Sequence, residues 1–159
     1  MRPGARLAVL MALSLLPAQA ALAQAGNGGG AAPAVNWGPA PPFFPAGARF
    51  AVMQGDPSAT GVYAVRLEMP SGYVIAPHYH PTDEHVTVLS GTFLVGMGDS
   101  TNAQQTTALG AGGFITAPAQ AHHFAIARGR TVVQVHGIGP FAITYVRAAD
   151  DPRNNTAAR

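Results

Sequence analysis

Beyond residue 45 the chain consists almost entirely of short stretches whose hydrophobicity alternates, and a period of two leaves few folds open. In GVYAVRLEM (residues 61–69), Tyr63, Val65, Leu67 and Met69 fall on one side of an extended chain, while Arg66 and Glu68 fall on the other. Successive side chains of a strand point to opposite faces, so this pattern predicts a half-buried strand. YVIAPHYH, EHVTVLSGTFLVGMG, GGFITAP, HHFAIA and TVVQVHGIGPFAITYV follow, separated by Gly, Pro, Asp and Asn. No amphipathic helix longer than a turn or two follows the N-terminal segment. Regular short strands without helices predict an all-β sandwich or small barrel.

The two ends follow other rules. MRPGARLAVLMALSLLPAQAALAQA places Arg2 and Arg6 before an apolar run from Leu7 to Leu16, then small residues at A-x-A spacing. That order predicts a secretory signal over residues 1–25, cleaved after Ala23 or Ala25, and a periplasmic or secreted mature protein. The run is too short for the roughly 20 apolar residues of a membrane-spanning helix, so no membrane attachment is expected after cleavage. Residues 26–45 are uncharged and rich in Gly, Ala and Pro, the composition of a linker. Within that segment Trp37, Phe43 and Phe44 either dock onto the domain or a second subunit, or stand exposed in a loose arm. The domain is expected over residues 46–149. A polar tail, 150–159, is expected to fray, and its Asn154-Asn155-Thr156 matches a glycosylation sequon in form alone.

Charge and missing residue types remove whole classes of function. The chain has 9 basic and 7 acidic residues, and every basic one is Arg. Cleavage removes Arg2 and Arg6 and leaves seven against seven. The sequence pI of about 9.5 therefore belongs largely to the signal. No basic cluster remains to track phosphates, which argues against a nucleic-acid partner. Without cysteine there is no disulfide, thiol nucleophile or thiolate-held zinc, and without lysine no Schiff base. A neutral chain with apolar strands is expected to cover its sheet edges as a homodimer.

Polar chemistry concentrates in HYHPTDEH (78–85), which holds three of the 6 histidines. On a strand, His78 and His80 share a face. Pro81 ends the regular run, and a hairpin corner would return the Glu84 carboxylate toward both rings. Two imidazoles and a carboxylate suit one divalent transition ion such as Mn, Fe, Co, Ni or Zn. His122 and His123 stand at the mouth of a later strand. Alternation lets only one of them join the cluster, and periodicity does not choose between them.

These residues resemble the cupin motifs. The first, G-x5-H-x-H-x3,4-E-x6-G, is met by Gly72, His78, His80, Glu84 and Gly91. The second, G-x5-P-x-G-x2-H-x3-N, is met by Gly112, Pro118 and His123, with Gln120 in place of Gly and Ala127 in place of Asn. The resemblance spans roughly residues 46–149 and is to small single-domain bacterial cupins. It implies a conical jelly-roll β-barrel whose cavity holds a metal on His78, His80, Glu84 and His123, with open positions for a small-molecule substrate or ligand. Among cupins this supports dioxygenase-type oxidoreductase chemistry, with metal-dependent lyase or isomerase reactions and non-catalytic metal or ligand binding as alternatives.

The other polar residues carry less. His85 and Tyr79 neighbour ligands in sequence and should face away from them. His136 either lines the cavity as a base or is structural, and the outer hydrogen bonds of the ligand rings are expected to go to Asp83, Gln134 or backbone carbonyls. Asp83 and Glu84 diverge on a strand and form no acid/base dyad. GAGG (110–113) and GNGGG (26–30) precede no helix and are not phosphate loops. Ser90 lacks the G-x-S-x-G context of a serine hydrolase.

Overall fold

Alternation, glycine bends and prolines divide the chain into nine strands in the computed structural model, which describes residues 34–154. The signal expected over 1–25, the start of the linker and residues 155–159 lie outside the described residues. The strands are β1 (Gly38–Pro39), β2 (Arg49–Gln54), β3 (Gly61–Met69), β4 (Val74–Tyr79), β5 (Glu84–Met97), β6 (Thr107–Leu109), β7 (Phe114–Ala117), β8 (His123–Gly139) and β9 (Thr144–Tyr145). Helix among the described residues is limited to short 3-10 turns, none long and apolar enough to cross a membrane.

All pairings are antiparallel, in the order β1-β2-β3-β8-β4-β9, with β5 on β6, β7 and β8. The 17-residue β8 binds the arrangement together: its C-terminal half pairs with β3, its N-terminal end with β4, and β5 runs beside almost its whole length. The register of β5 and β8 shifts around Ser90 and Thr92, where Gly91 and Gly129 take positive φ of 79° and 77°. Such bends let two long strands serve both walls of a sheet curled into an all-β jelly-roll barrel.

The inner face is the one the alternation predicted. Tyr63, Val65, Leu67 and Met69 from β3, with Val133 and Val135 from β8, are buried in one apolar core. On the opposite face Arg66 Nε donates to Gln134 Oε1 at 3.2 Å. Glu68 is buried too, held between Arg49 Nη1 at 3.2 Å and Arg130 Nη2. A buried carboxylate is tolerated where cations and hydrogen bonds replace its water.

Of the two readings of the N-terminal aromatics, docking onto the domain is the one observed. Phe44 lies in the core, Phe43 packs against it, and β1 pairs with β2. The Arg49 guanidinium sits 5.4 Å from the centroid of the Trp37 ring. The tail is likewise tied down through Asn154: Arg153 Nη2 donates to Ile143 O at 3.2 Å and to Asp151 Oδ2 at 2.7 Å.

Candidate metal centre

Three strands deliver four polar side chains to the interior. His78 lies on β4, His80 just past its end, Glu84 opens β5 and His123 opens β8. His78 is the register partner of His123, which places the two rings side by side at 4.3 Å between centroids. His80 stands 5.0 Å from His78 and 5.2 Å from His123. The expected hairpin corner does not occur, because β4 pairs with β8 and β9 and not with β5. The turn over residues 81–83 brings Glu84 back all the same, and its side chain shares the inward parity of Val86 and Val88.

Each ring is oriented by a backbone carbonyl. His78 Nδ1 donates to Ala76 O at 2.8 Å, His80 Nδ1 to Ala142 O at 2.7 Å, and His123 Nδ1 to Ala121 O at 2.9 Å. With the proton on Nδ1, the Nε2 lone pairs are free to act as donors to a metal. Of the acceptors expected for this role, the carbonyls are right and the two side chains are not. Asp83 Oδ1 takes the Ala119 N–H at 2.8 Å, and Gln134 is engaged by Arg66.

The residues fit a divalent cation. His78, His80 and His123 present ligand atoms within 4.8 Å of one another. The Nε2 atoms of His80 and His123 are buried without a hydrogen-bond partner. They stand 3.4 and 3.5 Å from Glu84 Oε1 and Oε2, long for hydrogen bonds. Two ligands at about 2.1 Å from one ion are separated by roughly 3.0–3.4 Å, close to what is seen. Buried polar atoms without partners are costly, and an ion would satisfy all of them at once.

The charge states of these side chains follow from burial and from one another. Burial, with the charges of His123 and His80, pushes the His78 imidazole down to about 3, so it is neutral across the physiological range. Burial works against ionised His80 too, but Glu84 outweighs it and raises that ring. For Glu84, burial would raise the carboxyl, and the opposing pull of His80 and His123 holds it well below the usual range. The acid is a carboxylate at neutral pH.

His78, Glu84 and His123 also line a narrow cavity inside the barrel, with about 30 Å³ of room for the centres of water-sized spheres. The rest of its lining is apolar, including Leu67, Val86, Phe93, Ile115 and Val135.

The remaining histidines lie elsewhere. His122 stacks on Tyr79 at 5.1 Å and bonds Asp99 Oδ1 at 2.6 Å through Nδ1. His85 and His136 are register partners on the outer face, 5.1 Å apart, with His85 Nδ1 on Thr116 Oγ1. His136 therefore does not line the cavity, because its parity is opposite to that of inward Val133 and Val135.

Gln120 shows how the second motif survives its departure. It holds a left-handed φ of 63°, the conformation for which Gly is suited, and its N–H donates to His80 O at 2.9 Å. A left-handed non-glycine residue costs roughly 1–2 kcal/mol. Gln120→Gly is expected to stabilise the protein by about 1 kcal/mol and raise Tm by about 2–4 °C in a thermal melt, with metal content unchanged.

The family profile described as the cupin domain matches residues 65–138, a span that contains all four of these residues. No curated protein matches the sequence significantly. Among solved structures, a protein of Methylibium petroleiphilum provisionally assigned as an acetylacetone dioxygenase superposes with a TM-score of 0.58 at 22% identity, covering 74% of this chain and 79% of its own. An RmlC-like cupin of Shewanella frigidimarina gives 0.51 at 16% identity, over 67% of this chain and 84% of its own. A structure reported among DMSP lyases gives 0.52 at 18% identity, over 63% of this chain and 53% of its own. At these identities the structural likeness speaks for the fold. Motif, family profile and barrel agree: residues 65–138 are a cupin domain, on the all-β fold of the small cupins.

Proposed function

We propose that the protein is an exported, mononuclear metalloprotein that works as a dioxygenase-type oxidoreductase on a small organic molecule. His78, His80, Glu84 and His123 would together hold one divalent ion, Mn, Fe, Co, Ni or Zn. The observation that carries this reading is the convergence of carbonyl-oriented, partnerless Nε2 atoms and a buried carboxylate on one point at the wall of an apolar cavity. A bound ion would supply Lewis acidity and coordination positions left open to small molecules. The protein supplies the rest: carbonyls fix the tautomer of each ring, Glu84 balances part of the cation's charge, and the aliphatic wall excludes water.

The cavity's composition favours this reading over a lyase or isomerase that needs a free base. Among the described residues, His78, Glu84 and His123 apart, no ionisable side chain lines it. The acetylacetone dioxygenase assignment of one similar fold points the same way. Metal identification on protein purified without added metal, followed by oxygen uptake with catechols, flavonols and β-diketones, tests the proposal. Stoichiometric metal and uptake with one class is expected. Full metal content with silence across the panel would shift the reading to a metal-dependent lyase or isomerase, or to a non-catalytic binding protein.

Export and association complete the proposal. N-terminal sequencing of the secreted form should begin after Ala23 or Ala25. Val62 and Ile138 pair across strands with 60% and 50% of their surfaces exposed. An apolar patch of this kind suits a homodimer contact, and a sedimentation profile that stays monomeric at high concentration would contradict it.

A further inference from the structure

Part of the cavity wall comes from outside the long strands. Phe44 lines the cavity although it belongs to the PPFFP segment (41–45), which precedes β2. The segment is fastened on both sides of that residue. Tyr145 donates its hydroxyl to Phe43 O at 2.8 Å, and Tyr73 donates to Pro45 O at 2.5 Å. Between the anchors, Phe44 N donates to Pro41 O at 2.9 Å, closing a turn whose prolines already restrict the backbone. The Phe44 ring then packs 6.2 Å from Phe50 and 6.3 Å from Phe141. It is a fixed wall.

What the wall encloses is as informative. Among the described residues no arginine reaches the cavity lining, and the chain has no lysine. With Glu84 cancelling one charge of a divalent ion and no protein cation in the lining, a dicarboxylate would leave the buried site with excess negative charge, at high electrostatic cost. Nor does any hydroxyl or amide side chain of the described residues line the space, so a polyol would leave its own groups without partners.

We propose that the site selects a small ligand that carries at most one negative charge, whose oxygen atoms meet the metal while its apolar body fills the cavity, and that Phe44 is the residue that sets the ligand's size. This rests on the metal centre proposed above. Phe43 supplies the contrast: it packs against the core and against Phe44 at 5.0 Å, yet does not line the cavity.

The test uses zinc-loaded full-length protein, so that binding is read without turnover, and calorimetry with pentane-2,4-dione, heptane-3,5-dione, nonane-4,6-dione and malonate. The wild type is expected to bind the shortest diketone best and malonate at least about 10-fold more weakly. Phe44→Ala should reverse the chain-length order, with a gain of about 10-fold for the longest diketone from the added buried methylenes. Phe43→Ala should keep the wild-type order. Should Phe44→Ala fail to fold, Phe44→Leu replaces it, with a smaller shift in the same direction. A Phe44 variant that holds zinc but keeps the wild-type ranking overturns the role of Phe44. Malonate binding as tight as pentane-2,4-dione overturns the ligand class. Zinc content measured on the same samples separates these outcomes from failure of the metal centre, since a wild type that takes up no zinc sinks the earlier reading instead.

Discussion

His80→Ala is expected to lower affinity for the bound divalent ion by more than about 100-fold. Loss of a residue that merely orients a ligand already costs 10–100-fold, and His80 would be a ligand itself. The geometry gives the reason: His80 Nε2 is buried, has no hydrogen-bond partner and lies 3.4 Å from Glu84 Oε1. The loss should also appear as stability. An ion present at a thousand times its Kd contributes about 4 kcal/mol, so a metal-dependent rise in Tm seen for wild type should vanish in the variant. The sharper part of the expectation concerns the other histidines. His85→Ala, His122→Ala and His136→Ala should retain full metal content, because these rings face the outer surface or Asp99. Elemental analysis of the four variants is the check. Metal retained in His80→Ala, or lost equally from all four, would contradict the assignment.

Gly91→Ala is expected to cost about 3 kcal/mol or more and to lower Tm by roughly 10 °C, with metal ligands intact in whatever folds. Two separate penalties meet at this position. The backbone is left-handed, at φ 79°, which costs a side-chain-bearing residue roughly 1–2 kcal/mol. A Cβ there would also press into the Arg130 carbonyl and come within 2.7 Å of Thr131 Cα, which is backbone and cannot rotate away. Overpacking of this kind costs a further 1–3 kcal/mol, roughly. Gly72 offers the control. Its φ of 78° carries the first penalty alone, since a Cβ there meets nothing within 4 Å. Gly72→Ala should therefore be the milder of the two in a denaturant titration. Equal losses would show that the crowding at Gly91 is relieved by movement of β8.

The inward face of β3 was legible because one side of the strand is buried and the other carries Arg66 and Glu68, so burial leaves a period of two. Gly72, Gly91 and Gly112 were legible as a motif, and the structure supplies their cause in positive φ at each. HHFAIA and TVVQVHGIG read as two runs, yet they form one strand, β8, because Gly129 bends the chain without ending its pairing.

His123 could not be separated from His122 by alternation alone. The choice comes from long-range register, in which His123 sits opposite His78. The acceptors of the three ring N–H groups were only partly legible, since any residue has a carbonyl and only the fold decides which ones converge. Phe44 was the least visible. Its segment has a linker's composition, and it is ordered by Tyr73 and Tyr145, residues far along the chain. Order that comes from tertiary contacts leaves little trace in local composition.

The most direct measurement is an anomalous-scattering crystal structure of the protein purified without supplemented metal, with data collected across the absorption edges of Mn, Fe, Co, Ni and Zn. A single ion is expected within about 2.0–2.2 Å of Nε2 of His78, His80 and His123 and of a Glu84 carboxylate oxygen. An ion bound elsewhere, such as between His85 and His136, or a full-occupancy ion that leaves Glu84 uncoordinated, would contradict it.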